Sequence, residues 1–172
     1  RGSIPVCHPD FQEFGGNTTC IQIKEKESKN IAVLDAGTGI RELGKEFLKS
    51  GHKQDEIFIA FSHFHWDHIQ GFPFFAPAFN KKQKINILAM GWGKQITCLK
   101  DIFKTQMQKE FFPIQLEKMG ARFRFMLLEK TTKVFKTQTK KPKSVNVKSY
   151  KHRHPGGAYS YRIEFDEKVL VF

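Results

Sequence analysis

Hydrophobic and polar positions divide the chain into short apolar runs separated by turn residues, with two longer stretches of helical spacing. Across residues 17–25, Cys20, Gln22 and Lys24 alternate with Ile21 and Ile23, the period of a half-buried strand. Asn30 to Leu34 predicts a second, more buried strand, and the polar turn Lys26 to Lys29 joins the two as a hairpin. Residues 1–16, broken by Pro5, Pro9, Gly15 and Gly16, read as loop. Ile40, Leu43, Phe47 and Leu48 form the apolar stripe of a helix from Ile40 to Lys49, with Thr38 as its cap and Gly51 as its terminator. Glu56 to Phe61 is an apolar run of strand length, and Lys84 to Met90 is another, broken by Gly91-Trp92-Gly93. Residues 94–111 predict a helix with Ile96, Leu99, Ile102, Phe103 and Met107 on one side, closed by Phe111-Phe112-Pro113. Further strands are predicted over Ala121 to Leu128, Tyr159 to Phe165 and Lys168 to Phe172, the last two joined at Asp166-Glu167.

The chemistry gathers directly after the Glu56–Phe61 run, in Ser62-His63-Phe64-His65-Trp66-Asp67-His68. The pattern is H-x-H-x-D-H, with His63, His65, Asp67 and His68 inside six residues of a chain that has 7 histidines. Imidazole and carboxylate are the ligands of catalytic zinc. Residues two apart in extended chain point the same way, so His63 and His65 can reach one metal, while Asp67 and His68, past the bend, turn toward a second. Gly71-Phe72-Pro73 bars a continuous helix and leaves these residues on a loop. A zinc finger is excluded because Cys7, Cys20 and Cys98 lack paired spacing, and a metalloprotease helix because H-E-x-x-H is absent. Phe72, Phe74, Phe75 and Phe79 follow the loop, and core packing is a better account of them than a wall for a nucleobase.

Composition narrows the picture further. At 172 residues and 40% hydrophobic content, the chain suits a single globular domain, residues 1–172. No apolar run approaches the ~20 residues of a membrane helix, and Arg1-Gly2-Ser3-Ile4-Pro5 does not open a signal peptide, so no membrane association is expected. Three cysteines cannot all pair within the chain, which makes a reducing cytoplasm the expected compartment. The net charge of +12 favours anionic partners such as phosphodiesters. The lysine-rich segment from Lys130 to His154 has no acidic residue and reads as a basic hairpin, either simply solvated or a rim that draws nucleic acid toward the histidines.

The motif resembles that of the metallo-β-lactamase superfamily of metal-dependent hydrolases. Gly15-Gly16-Asn17-Thr18-Thr19-Cys20, Leu34-Asp35-Ala36-Gly37-Thr38-Gly39 and His154-Pro155-Gly156-Gly157-Ala158-Tyr159-Ser160-Tyr161-Arg162 resemble further segments of it, and Gly71-Phe72-Pro73 resembles the phosphodiesterase branch that includes ribonuclease Z-like enzymes. The resemblance implies an α/β (α+β) architecture, the αββα sandwich. It implies Asp35 as a buried carboxylate bracing the metal loop, and His154, seven residues before Tyr161, as a metal ligand, with His152 a bystander. It implies zinc, one or two ions, or another divalent metal. One position is completed by His63, His65 and His154, and the second keeps only Asp67 and His68. Against the superfamily pattern the chain reads as truncated at both ends, lacking a first strand and the C-terminal half that supplies a bridging aspartate and a last histidine. The implied activity is phosphodiester hydrolysis of a cyclic nucleotide or RNA-like substrate by a metal-activated water, with Asp67 orienting the nucleophile. The alternatives are thioester or lactam hydrolysis on the same scaffold, and a non-catalytic domain that binds polyanions through its lysines. A di-iron redox branch is disfavoured because it carries a carboxylate where this chain has His65.

Overall fold

The computed structural model describes residues 3–11, 13–25, 28–50, 56–90, 99–128 and 144–172, and the backbone path over 132–136. Three sequence expectations lie outside the described residues: Gly51 as helix terminator, the break at Gly91-Trp92-Gly93, and the first turn of the 94–111 helix with Ile96. Parts of the Lys26–Lys29 turn and of the Lys130–His154 segment also lie outside them.

Five strands form the first sheet: β1 (Ile21–Lys24), β2 (Ile31–Leu34), β3 (Glu56–Phe61), β4 (Lys84–Met90) and β5 (Arg122–Leu128), in that spatial order. β1 pairs antiparallel with β2, and β2 to β5 are parallel. A parallel sheet needs cover on both faces, which is why β3 and β4 read as apolar runs. The register places Ile31, Ile57 and Ile85 in one row and Val33, Ile59 and Ile87 in the next. These rows are buried beneath the helices in one apolar cluster.

α1 (Gly39–Ser50) buries Ile40, Leu43 and Phe47 on that face. Leu48 departs from the expectation and is 68% exposed, because it lies beside rather than on the Ile40–Phe47 stripe. Thr38 precedes the helix, but its hydroxyl accepts from the Thr18 N–H at 2.9 Å and donates to Asn17 at 3.0 Å. It therefore ties the helix entry to the segment before β1. α3 (Leu99–Gln106) buries Leu99 and Phe103, with Met107 just past its end. It stops short of the expected residue 111, and turns occupy 107–114. Phe72 and Phe75 are fully buried in the same core. Phe74 packs edge-on against Phe112 but is 54% exposed, and Phe79 is exposed too, so the core-packing expectation holds for Phe72 and Phe75 only, and none of the four rings lines the pocket at His63.

The second sheet is antiparallel, in the order β6 (Thr132–Lys136), β7 (Ser144–His152), β8 (Ala158–Phe165) and β9 (Lys168–Val171). The basic segment is thus a hairpin, β6 with β7. Met90 and Leu128 of the first sheet meet Tyr159, Tyr161, Val147 and Ile163 of the second. Between the sheets runs an apolar cleft of about 220 Å³. Helices, first sheet and second sheet are three stacked layers of an α/β sandwich. Among the described residues no helix covers the outer face of β7 and β8, where Asn146, Lys148 and Tyr150 stand opposite Glu164, Arg162 and Ser160. A polar row of this kind is what a solvated sheet face requires.

Candidate metal centre

The site forms where β2 and β3 end, at the C-terminal edge of the parallel sheet, the usual place for a site in an open α/β sheet. β2 delivers Asp35, fully buried, with a left-handed backbone at φ 58°. This conformation is costly for most residues and tolerated by aspartate. Asp35 still donates its N–H to Ala60 at 3.0 Å, so the parallel pairing persists as the chain turns. Its carboxylate accepts from the Ser62 N–H and the Ser62 hydroxyl, each at 2.7 Å, and from His68 Nδ1 at 2.5 Å. The bracing role expected of Asp35 is what the structure shows.

Backbone bonds seal the two loops together. The Ala36 N–H donates to the His68 carbonyl at 2.7 Å and the Gly71 N–H to the Ala36 carbonyl at 2.9 Å. Gly37 lies at a close approach between them. A Cβ there would stand 2.5 Å from the Asp67 carbonyl oxygen and 2.5 Å from Thr18 Oγ1. No side chain fits without separating the segment before β1 from the histidine loop.

His63 and His65 lie on the loop, and Asp67 and His68 fall in a four-residue helix, α2 (Trp66–Ile69). That helix refines the loop expected from Gly71-Phe72-Pro73: one turn forms before the chain breaks. Gln106 of α3 holds it from behind, donating to the Ile69 carbonyl at 2.8 Å in a buried contact.

His154 arrives from the second sheet. It opens a turn, with the Gly157 N–H donating to the His154 carbonyl at 2.8 Å. Pro155 and Gly156 are the central residues, and Gly156 has φ +77°. Proline followed by a positive-φ glycine is a type II turn. Two bonds fix β8 to the end of β3: the Tyr159 N–H donates to the Ser62 carbonyl at 3.0 Å, and the Tyr161 hydroxyl to the Phe61 carbonyl at 2.7 Å.

The result is a triad of imidazoles. Ring centroids stand 4.7 Å apart for His63 and His65, 4.8 Å for His63 and His154, and 4.8 Å for His65 and His154. One nitrogen from each lies within 4.8 Å of the others. His152, the other histidine of the segment, points away and bonds Ser160 Oγ at 2.8 Å. Asp67 and His68 form a separate pair, with Asp67 Oδ2 3.2 Å from His68 Nε2, beside His63 at a ring separation of 4.0 Å.

Hydrogen bonding sets the tautomers. Ser62 gives its hydroxyl proton to Asp35 and so accepts from His63 Nδ1 at 3.0 Å, which leaves His63 Nε2 as a lone-pair donor. The Asp35 contact likewise directs the His68 Nδ1 proton to the carboxylate, while His68 Nε2 stands 3.2 Å from Asp67 Oδ2. His65 Nδ1 and His154 Nε2 approach to 3.1 Å. Two nitrogens bound tetrahedrally to one zinc at ~2.0–2.1 Å stand about 3.3 Å apart, so this edge of the triangle already has ligand spacing. Burial, with the neighbouring His68 and His65, pushes the His63 imidazole down to about 4, so it is neutral at pH 7 and has no proton to lose to a cation. Burial also pulls His68 down, but the Asp35 hydrogen bond and the charges of Asp35 and Asp67 reverse this and leave it raised. Three converging imidazoles, two of them exposed, fit a divalent metal. Ser62 is the residue sequence reasoning missed. Its signal was a small polar side chain between a buried strand and the first histidine.

No protein-family model matches the sequence, and no curated protein matches it. Solved structures do match in fold. One is a metallo-β-lactamase fold protein, YhfI from Bacillus subtilis, with TM-score 0.58 and 15% identity over 96% of this chain and 57% of that one. Another is a HARLDQ-motif mutant of a metallo-β-lactamase from Cronobacter sakazakii, with TM-score 0.54 and 14% identity over 92% of this chain and 56% of that one. The chain spans a little over half the length of these neighbours. Its layered sheets are those of a metallo-β-lactamase fold.

Proposed function

We propose that the protein is, or is part of, a metal-dependent hydrolase that cleaves phosphodiesters. The observation that carries this reading is the convergence of His63, His65 and His154, drawn from both sheets, with the His63 tautomer fixed by Ser62 and Asp35. These three would hold a divalent cation, with zinc the best match to an all-imidazole set. A cation there supplies Lewis acidity toward a phosphoryl oxygen and makes water a nucleophile near neutral pH. Asp67 stands beside the triad with an ionisable carboxylate able to accept a proton from that water and orient it. With His68 it offers two ligands to a second ion, fewer than a tight site needs. The net charge of +12, and the run Lys148, Lys151 and Arg153 leading into His154, favour a polyanionic substrate over a lactam or thioester. The cysteines Cys7 and Cys20 are free thiols, which suits action in a reducing cytoplasm.

The test is metal content and hydrolysis together. After zinc loading and desalting, wild-type protein should retain about one ion per chain, the count for one closed three-histidine position. Hydrolysis of bis(p-nitrophenyl) phosphate should stop with a chelator and in His63→Ala, while oligonucleotide binding persists. Undiminished hydrolysis in His63→Ala would overturn the metal mechanism. Salt-dependent oligonucleotide binding with no metal and no turnover would replace it with a purely polyanion-binding role.

A further inference from the structure

Beside the triad lies a second concavity, of about 140 Å³, that the proposed hydrolysis does not itself require. Phe61, Ala89 and Met90, all buried, bound it on the core side, and Phe64, Ile102 and Tyr159 add further apolar surface. The backbone of Gly156 and Gly157 completes it without adding side chains. His63 belongs to both the pocket and the triad, so a molecule bound at the histidines has the pocket as its immediate neighbour.

Two features define what fits. The first is size. An apolar cavity of about 150 Å³ is enough to hold benzene, so this one takes a single six-membered ring, and a fused bicycle exceeds it. The second is polarity. The hydroxyl of Ser62 donates to Asp35 and accepts from His63, and the Ser62 carbonyl accepts from the Tyr159 N–H. The polar groups of Ser62 are therefore already partnered, and His63 Nε2 is taken by the cation in the reading above, so recognition there is by shape rather than by hydrogen bonds to a ring edge.

We infer that this pocket is a subsite for one planar ring, an aryl group or a single-ring base, carried on the phosphoryl group that the histidine triad receives. The inference rests on the phosphoryl reading above and sharpens it: the substrate class is a phosphodiester with a small aromatic substituent next to the scissile phosphorus. Phe64 and Tyr159 become its specificity-determining side chains, a role the sequence had offered to Phe72, Phe74, Phe75 and Phe79.

The test separates the ring from the phosphoryl group. In metal-free protein, benzene should shift the methyl resonances of Met90 and Ile102. Zinc-loaded protein should bind phenylphosphonate about tenfold more tightly than methylphosphonate, the gain expected for burying part of one ring. Naphthylphosphonate should show no such gain. Ile102→Trp should reduce phenylphosphonate affinity to the methylphosphonate level, with retained zinc stoichiometry as the folding control. Equal affinity for the two phosphonates, with both bound, would overturn the subsite and leave the phosphoryl reading intact. Failure of benzene to move either methyl would also overturn the subsite. Failure of zinc-loaded protein to bind either phosphonate would overturn the phosphoryl reading, and with it the assignment of this pocket to an ester substituent.

Discussion

The Tyr161 hydroxyl donates to the Phe61 carbonyl at 2.7 Å, joining the second sheet to the first one residue before the histidine loop begins. Both residues are buried. The bond sets where β8 lies on the end of β3, and thereby where His154 meets His63 and His65.

Tyr161→Phe keeps the ring and removes the donor, so the Phe61 carbonyl loses a buried partner. Loss of such a bond costs about 1–2 kcal/mol. Urea denaturation of the metal-free variant should show that loss with an unchanged m-value. Zinc affinity should fall as well, because His154 is no longer held to the same place. A variant as stable as wild type would show that apolar packing of Tyr159 and Tyr161 alone aligns the sheets.

Asp35 accepts from the Ser62 N–H, the Ser62 hydroxyl and His68. Asp35→Ala orphans all three donors inside the protein, and should be the more damaging change, at about 3 kcal/mol or more. Asp35→Asn is nearly isosteric but places an N–H₂ against one of those donors. It should fold and bind zinc about 10- to 100-fold more weakly, the usual cost of losing a partner that orients the ligands. Zinc titration against a competing chelator distinguishes the two variants.

His63 and His68 are five residues apart and should titrate on opposite sides of the ordinary histidine value. In chelator-treated protein, NMR should place the His63 midpoint near pH 4 and that of His68 above 6.5. The signs for stability are opposite. The unfolded chain takes up a proton at His63 near 6.5 while the folded one does not until about 4, so this residue withdraws stability as pH falls through that window. His68 holds its proton more tightly when folded. Its contribution is complete below 6.5 and is lost as pH rises through its raised midpoint. In Asp35→Asn the His68 midpoint should drop, since its main supporting charge is gone.

Gly156 needs φ +77° to complete the His154 turn, and a Cβ there would meet nothing closer than His65 Nε2 at 4.0 Å. Space is not the obstacle, so the cost of Gly156→Ala is backbone strain, about 1–2 kcal/mol. Zinc affinity should fall several-fold as His154 shifts. Gly156→Asn, whose side chain tolerates the left-handed region, should retain more of both properties. Equal losses in the two variants would point instead to the side chain itself disturbing His65.

The two thiols described differ in reactivity. Burial, with the nearby Asp35 charge, pushes the Cys20 thiol up to about 12, while Cys7 is exposed. Iodoacetamide at pH 8, read by peptide mass spectrometry, should modify Cys7 and spare Cys20 until denaturant is added. Modification of Cys20 in native protein would mean that the entry to β1 opens.

Most of the fold was legible because its signals are local. The strand runs Ile31–Leu34, Glu56–Phe61 and Lys84–Met90 are apolar, and a buried parallel strand has no other way to be written. The spacing of His63, His65, Asp67 and His68 likewise carried its chemistry in sequence. What sequence could not supply were relationships between distant segments. Leu48 fits an apolar stripe by spacing, but the helix lies so that the Ile40–Phe47 line alone meets the sheet. Thr38 fits a cap, but Thr18 and Asn17 claim its hydroxyl. The aromatic residues after the loop fit either core or ligand wall, and packing puts Phe72 and Phe75 in the core while Phe74 and Phe79 stay exposed. His154 was reached through the family pattern, and its place beside His65 depends on a bond between residues 100 positions apart, Tyr161 and Phe61.

The triad draws two members from one sheet and the third from the other, across a cleft that is incompletely filled. Any ion that engages all three histidines is therefore a rivet through the sandwich. Its affinity reports how firmly the two sheets are docked, and occupancy should raise the melting temperature in proportion to the logarithm of free metal. Metal uptake in this chain is a reading of tertiary assembly as much as of local chemistry.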